Sequence, residues 1–516
     1  MNNCKMRYGL VVFYAATLFI AGCFPEEAVL WSDDGSIGVI NIGEVLALVD
    51  GNTGKLRVIE MAKEIEGQKN PFVSITVSPD GKLIAYCTGS KCSSLSDALK
   101  QLPQTQVKLI AHYARQMREQ IIRQGGLVKS EFPDVTEGPF APDGYRNWVI
   151  RYMCDNADQE LIDKLTPEAL DKGKSSVIML FQLFVASIDD TGIKQQQLVT
   201  TSLFAIFRPR ISPDKRFVAY LLYNEPSEET ALRFDLYLAS IKGDVKVMRL
   251  ADYVALGYSW RDDSKAITYI ENSIKEIDQE YSVGTLTSIE VADPNGKLLA
   301  KTVPAESTEE GSLATHLHTG KVTHWAGALF HPNMRVQHTS GRIFFSSIAM
   351  NLPASTIDDR FYWSVFCCDL VTRSVTNILP RQVSSHLVED NATGYFAISP
   401  DGKKILLPLR MHRFMIYTLG ESSVLSPIEE SEEFGDSIGD NWQMMPAWKG
   451  NDEISCLVSE NSHFLTKEGQ EKHNRKEIVI LGADGKLRRV LSENWPDEIK
   501  SGSEYKLEGI PPIPPS

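Results

Sequence analysis

Short apolar runs separated by a recurring polar turn are the main pattern of this chain. Four clear copies of the turn are Trp31-Ser-Asp-Asp-Gly35, Val77-Ser-Pro-Asp-Gly81, Ile211-Ser-Pro-Asp-Lys215 and Ile398-Ser-Pro-Asp-Gly402. Serine, proline, aspartate and glycine in this order are typical of a type I turn, since proline fixes φ at the second position and glycine closes the turn. An apolar run such as Leu83-Ile-Ala-Tyr86 follows each turn. We expect these runs to be strands buried on both faces.

A strand-turn-strand segment follows each apolar run, and many copies carry the hairpin signals Asp-Gly, Asn-Gly or Gly-Asp. Where the repeat is undisturbed, the turns recur every 46 to 50 residues. Units of four strands at this spacing predict the blades of a β-propeller. We therefore expect an all-β fold with about seven four-stranded blades over residues 28–495, one of them built on a hidden turn at Leu329-Phe-His-Pro-Asn333. Six or eight blades are the alternatives.

Residues 88–175 interrupt the strand rhythm and predict a helical insertion within the propeller. From Thr105 to Arg123, apolar residues recur at intervals of three and four and form a single helical stripe. A second helix is predicted to start at Thr166-Pro167. The polar face of the first helix carries the candidate partner-binding residues Lys108, Arg115, Arg118 and Arg123. The alternative is a helical cap that only docks on a blade.

The turn followed by an Ile-Ala-Tyr type of strand resembles the repeat of TolB-type periplasmic propellers, and prolyl-oligopeptidase propellers carry a related repeat. The likeness covers most of residues 28–495 and implies the propeller fold. It implies little about function, since propellers are scaffolds with many uses. The peptidase relatives place their catalytic residues in a hydrolase domain beyond the propeller. We expect no such domain here, because few residues follow Val490 in this sequence.

The first 23 residues indicate an export signal. Lys5 and Arg7 precede an apolar run from Leu10 to Ile20, which is short for a membrane-spanning helix. The following Ala21-Gly22-Cys23 resembles a bacterial lipobox, and the resemblance implies that residues 1–22 are removed and Cys23 is lipidated. We expect residues 23–27 to be a lipidated linker, and residues 496–516 to be a proline-rich tail.

Net charge limits the classes of molecule that this chain is expected to bind. The net charge of −14 disfavours nucleic acid as a partner, because the chain repels phosphates on average. Removal of the signal would make the charge more negative, since residues 1–22 carry Lys5 and Arg7 and no acidic residue.

In an exported chain, Cys87 and Cys92 are close enough in sequence to form a disulfide, and buried thiols are the alternative.

Reactive motifs are scarce in this sequence. It contains no HExxH zinc motif and no phosphate-binding glycine loop. Five of the ten histidines lie between residues 316 and 338, and of these His316, His318 and His324 form a candidate metal site. No carboxylate or cysteine lies among these histidines to complete the ligands, so polar loop histidines are the simpler interpretation.

These patterns together predict a function in binding. We expect a lipid-anchored, exported propeller that acts as an interaction scaffold in the bacterial cell envelope. It would be held to a membrane through Cys23 and would bind an envelope protein or a glycan without a cofactor. The alternative is an enzyme that acts on a polysaccharide or peptide at the central funnel of the propeller.

Overall fold

The computed structural model describes the chain between residues 29 and 495, with several gaps. The longest gaps are 124–147, 303–334, 351–360, 379–395, 420–431 and 460–475. Residues 1–22, the linker 23–27 with Cys23, and the tail 496–516 therefore lie outside the described residues. The same holds for His316, His318 and His324.

The described residues form short strands along the whole chain. In order they are β1 (Val29–Trp31), β2 (Ile37–Ile42), β3 (Val45–Asp50), β4 (Leu56–Met61), β5 (Glu64–Ile65), β6 (Gln68–Lys69), β7 (Phe72–Val77), β8 (Leu83–Cys92), β9 (Ile178–Asp189), β10 (Gly192–Ser202), β11 (Ile206–Ile211), β12 (Phe217–Asn224), β13 (Arg233–Ser240), β14 (Val247–Trp260), β15 (Ala266–Ser273), β16 (Val283–Val291), β17 (Leu298–Thr302), β18 (Val336–Thr339), β19 (Arg342–Met350), β20 (Phe361–Asp369), β21 (Val375–Asn377), β22 (Ala397–Ile398), β23 (Lys404–Arg410), β24 (Arg413–Thr418), β25 (Glu432–Phe434), β26 (Trp442–Lys449), β27 (Glu453–Ser459), β28 (Lys476–Gly482) and β29 (Leu487–Val490).

These strands build antiparallel sheets in which neighbours in sequence are neighbours in space. The four-stranded sheets are β1–β4, β7–β10, β18–β21, β22–β25 and β26–β29. A seven-stranded sheet contains β11 to β17, and β5 and β6 form a separate pair. Local pairing of this kind is expected when tight turns join successive strands.

The long strand β14 explains the seven-stranded sheet. Its first part, from Val247 to Val254, pairs with β13, and the part from Val254 to Trp260 pairs with β15. The change of partner falls beside Tyr253, which has a positive φ of 62° and whose N–H donates to the buried Asp235 carboxylate at 3.3 Å. One strand thus serves two neighbouring sets of four strands.

Seven strands contact one another in a ring. Their order is β1, β7, β11, β14, β18, β22 and β26, and β26 contacts β1 again. Sheets arranged around an axis with their inner strands in a ring make a β-propeller, so the predicted all-β propeller class is confirmed. The hydrogen-bonded sheets around the ring number six rather than the predicted seven, because β14 joins two sets into one sheet.

Hydrogen bonds join neighbouring inner strands of the ring near the axis. Tryptophans just before the turns provide several of them. The indole N–H of Trp260 donates to the Arg210 carbonyl at 3.0 Å, and that of Trp448 donates to the Ala397 carbonyl at 3.0 Å. The carboxamide of Gln337 both donates to and accepts from the backbone of Ile398. Buried backbone groups need such partners, so these bonds fix how adjacent sheets meet.

The recurring turn has the geometry that its sequence predicts. In one copy the Ser78 hydroxyl donates to the Asp80 carboxylate at 2.8 Å and accepts from the Leu83 N–H at 2.9 Å. The last position, Gly81, has a φ of +69°. In another copy the hydrogen bonds from Ser32 and Ser36 lower the pKa of the Asp34 carboxyl. The buried serine and the aspartate therefore hold the turn closed from within.

Helices occupy the chain between β8 and β9. They are α1 (Leu95–Gln101), α2 (Gln104–Arg123), α3 (Gln159–Ile162) and α4 (Pro167–Lys174). The helices predicted from Thr105 and at Pro167 are both present. The helical part is shorter than the predicted 88–175, because residues 88–92 continue β8 and pair with β9 as far as Cys92 opposite Ile178.

The end of the chain's last sheet is joined to the first sheet by a buried tryptophan. The Trp495 indole N–H donates to the Gly54 carbonyl at 2.7 Å. Trp495→Phe leaves that carbonyl without a partner, so we expect a loss of about 1–3 kcal/mol in the free energy of unfolding, measured in urea. The control Trp260→Phe removes a bond of the same kind elsewhere in the ring. Hydrogen exchange should rise around β1–β4 and β26–β29 only for Trp495→Phe; equal exchange patterns would contradict this.

A buried histidine between two sheets makes stability depend on pH. Burial, together with the nearby Arg261 charge, lowers the pKa of His338 from 6.5 to about 4. Its Nε2 lies 2.6 Å from Thr268 Oγ1. The unfolded chain binds a proton there first as the pH falls, so the contribution of neutral His338 is complete above pH 6.5 and lost towards pH 4.

His338→Gln should therefore flatten the loss of unfolding free energy between pH 6.5 and 4 by about 3 kcal/mol. The measurement is urea unfolding at a series of pH values. His112→Gln, at an exposed position of α2, is the matched control. An unchanged slope in His338→Gln would show that another group governs this range.

Candidate functional site

The ring of inner strands encloses a central channel. Its cavity of about 560 Å³ is lined by residues of β1, β7, β11, β14, β18, β22 and β26 and by the turns after several of them. Cavities of a few hundred Å³ are typical of small-molecule sites. The channel is therefore the candidate functional site that the fold itself creates.

One end of the channel is formed by the second residues of the recurring turns. Three of these are prolines, Pro79, Pro213 and Pro400, whereas two are the acids Asp33 and Asp262. Both aspartates remain exposed, yet the surrounding protein removes enough water to raise their pKa values. The Asp262 carboxylate adds to the rise in the pKa of Asp33, so the two acids act on each other at this mouth.

The wall of the channel carries three arginines. Arg208 and Arg210 come from β11, and Arg335 directly precedes β18. Between these strands lies β14, which contributes the small residues Gly257 and Ser259 to the lining. The three arginines thus give this side of the channel wall a positive charge, and the residues between them are small.

Arg208 has an unusual backbone. Its φ is +45°, and the pairing of β11 with β12 shifts between Phe207 and Arg210. Its N–H donates to the Ser74 hydroxyl at 3.0 Å, and its carbonyl lies 2.6 Å from the Tyr258 hydroxyl. A non-glycine residue in the left-handed region costs about 1–3 kcal/mol and persists only where its surroundings hold it. Here the neighbouring inner strands β7 and β14 hold it from both sides.

The predicted basic residues lie along α2. Lys108, Arg115 and Arg123 are exposed, whereas Arg118 is partly covered and pairs with Glu160 of α3 at 2.9 Å. The apolar stripe on the other side of the helix is buried, including Ile110 and Ile121 at 0% exposure. Three of the four predicted residues thus share an open face, and the fourth holds the helices together.

The proposed disulfide is wrong. Cys87 and Cys92 are free thiols within the single strand β8. Five residues of extended chain span about 16 Å, whereas a disulfide needs Cα atoms less than about 7 Å apart. Complete burial raises the pKa of Cys87 to about 12, so its thiol is unreactive. The alternative of buried thiols describes Cys87 better.

The structure describes one member of the histidine cluster between residues 316 and 338. His338, the one described residue of the five, is buried at the Thr268 contact and not grouped with acids or cysteines. Within the described parts of the chain, no group of three potential metal ligands occurs. Within the same parts, no helix has the length and apolar character needed to cross a membrane.

The channel residues were missed from the sequence. The acids at the turn mouth had a visible signal, because Trp31-Ser-Asp-Asp and Trp260-Arg-Asp-Asp carry aspartate where other copies carry proline. The arginines had none, since they lie in inner strands of ordinary composition. Only the ring brings Arg208 and Arg335 to one cavity.

Comparison with known proteins finds likeness at the level of structure alone. No family model matches the chain, and no curated protein matches it in sequence. Solved structures that are similar include the propeller domain of the Trilobed protease from Pyrococcus furiosus, at 11% identity and a TM-score of 0.33, over 60% of this chain and 74% of that one.

Two further solved structures have similarly low sequence identity to this chain. A putative TolB from Agrobacterium tumefaciens has 12% identity and a TM-score of 0.31, over 58% of this chain and 84% of that one. Prolyl oligopeptidase B from Galerina marginata has 9% identity and a TM-score of 0.43, over 90% of this chain and 50% of that one. This chain thus spans about half the length of the oligopeptidase. The propeller class of this chain rests on its own ring of inner strands.

Proposed function

We propose that this chain is a lipid-anchored, exported β-propeller that serves as a binding scaffold in the bacterial cell envelope. Its partner would be an envelope protein or a glycan with acidic groups. The observation that carries the proposal is the open basic face of α2, which the propeller holds in a fixed position. Recognition is commonly placed on such departures from a rigid scaffold.

Contacts between the helices and the sheets support a fixed position. Trp148 is fully buried, and its indole N–H donates to the Met179 carbonyl of β9 at 2.7 Å. At the start of α2 the Gln106 carboxamide donates to the Ser202 hydroxyl at 3.2 Å and accepts from the Leu203 N–H at 3.0 Å. Apolar residues of α1 and α2 share one core with the sheets. The basic face is therefore presented by an ordered element.

Charge supports the choice of partner. Lys108, Arg115 and Arg123 stand on a chain whose net charge is −14. A local basic face on an acidic body attracts an acidic partner there and repels it elsewhere, which favours one orientation of approach.

A second candidate function, an enzyme acting on a polysaccharide or peptide at the central funnel, is favoured by the channel mouth. The raised pKa values of Asp33 and Asp262 are the kind of shift found in carboxyl groups that donate protons. The two candidates differ in location, since the helices and the turn mouth lie at opposite ends of the strands of their sheets.

We also propose that the seven-stranded sheet consists of two blades that share β14. The ring then has one blade for each inner strand, which gives the seven predicted from the repeat. The domain boundaries proposed from the sequence remain 1–22 for the signal, 23–27 for the lipidated linker, 28–495 for the propeller and 496–516 for the tail.

Membrane attachment is tested at Cys23. Cells that produce the wild type with labelled palmitate should incorporate label into the protein, and Cys23→Ala should abolish it, because the thiol and the new amino group carry the lipid. Cys4→Ala, which removes a cysteine from the proposed signal, is the control and should keep the label. A wild type without label would overturn the anchor.

The basic face is tested by reversing its three exposed charges. The triple variant Lys108→Glu, Arg115→Glu, Arg123→Glu should recover less of an envelope partner in a pull-down from membranes, with a nearly unchanged melting temperature. Arg118 stays, since it pairs with Glu160.

The matched control is Lys242→Glu, Lys265→Glu, Lys486→Glu, which changes the net charge equally at exposed positions in turns of the propeller. If both triple variants lost the partner alike, overall charge rather than α2 would be responsible. If neither lost it, α2 would not be the binding element.

A further inference from the structure

We infer that the central channel binds a small molecule with a multivalent oxyanion group, either a phosphate or a di- or tricarboxylate, through Arg208, Arg210 and Arg335. This site is separate from the α2 face and does not depend on the envelope function. Three observations carry it: the composition of the wall, the backbone of Arg208 and the distribution of charge along the channel.

The composition of the wall points to oxyanions. The three arginines are the only cationic side chains among the described residues that line the cavity, and neither lysine nor glutamate is present among them. Arginine presents a planar fork of N–H donors that matches carboxylate and phosphate oxygens in pairs. Several arginines around one cavity therefore select a group with several anionic oxygens.

The backbone of Arg208 points to a function for this side chain. Residues at a β-bulge are commonly re-aimed, and bulges are frequent beside functional sites. The positive φ of Arg208 is held by Ser74 of the preceding sheet and by Tyr258 of β14. Ordinary strand geometry would avoid this strain, so the fold maintains the backbone of Arg208 beside the cavity against a local cost.

The position of Arg335 matches that of Arg208. Each precedes the mouth residue of its own turn, Ser340 and Pro213, by five residues. Both arginines therefore lie several residues along the chain from the turn that follows them, and Arg210 lies nearer to its turn. Gly257 of β14 lies between them in the ring and adds no side chain to fill the space.

Charge is distributed unequally along the channel. The acids Asp33 and Asp262 lie at the turn mouth, and the arginines lie deeper in the wall. An anionic group placed among the arginines is therefore separated from both carboxylates. The uncharged or hydroxylated part of the ligand would face the acidic mouth, where the carboxyl groups can accept hydrogen bonds. This polarity fixes the orientation of the ligand in the channel.

Calorimetric titration of the full chain, purified in detergent, tests the site. The probes are pyrophosphate and citrate at constant ionic strength, with glucose as the neutral control. We expect at least one oxyanion to bind and glucose not to bind. Arg210→Gln and Arg335→Gln should each weaken the binding about tenfold or more, since each removes charged hydrogen bonds.

Two controls distinguish loss of the binding site from loss of the folded structure. Arg210 is exposed, so Arg210→Gln should keep the melting temperature of the unliganded chain, and Lys242→Gln outside the channel should keep the affinity. Tighter binding of pyrophosphate would assign the natural group as phosphate, and tighter binding of citrate would assign it as carboxylate. Binding of neither probe, or binding that survives both arginine substitutions, would overturn the inference.

Discussion

A ring of sheets persists only if its last sheet is joined to its first, and among the described strands none is shared across that junction. Sheet β1–β4 and sheet β26–β29 are each built from consecutive strands. The junction is made instead by side chains: Trp31 donates to Ser455 at 2.8 Å, Trp495 donates to Gly54, and Arg489 donates to the Gly51 carbonyl at 3.0 Å. Apolar side chains of the two sheets, among them Val49 and Ile480, also share one buried core at this junction. The rest of the ring therefore depends on these bonds together with the packing of that core.

The same inner strands that close the ring also create the channel. Their backbone groups and tryptophans bond to neighbouring inner strands, and residues between these contacts line the cavity. Arg208 shows the connection most clearly, because its backbone bonds to Ser74 of β7 and Tyr258 of β14 join three inner strands, and the same residue lines the cavity. Closure of the ring and the proposed ligand binding therefore share residues of the inner strands.

The proposed functional sites of this molecule lie where the repeat is broken. The turns repeat because serine and aspartate close them from within, which leaves those groups no capacity for chemistry. The helices between β8 and β9 depart from the repeat and carry exposed basic residues on a docked element. Aspartates replace prolines at two turns, and arginines in or directly before two inner strands line the cavity. Each departure adds a charged residue at a position that the propeller keeps ordered.

The sequence alone determined what depends on neighbours along the chain. Turn residues, buried strands and the apolar stripe of α2 act over two to five residues, so the propeller class and the helices at Gln104–Arg123 and Pro167–Lys174 were predictable. Tertiary structure decided what depends on contacts between distant sheets. It joined two sets of strands through β14, kept Cys87 and Cys92 apart within one strand, and brought Arg208 and Arg335 to a single cavity. The spacing of residues along the chain does not show which distant residues come into contact, because these contacts form only when the ring closes.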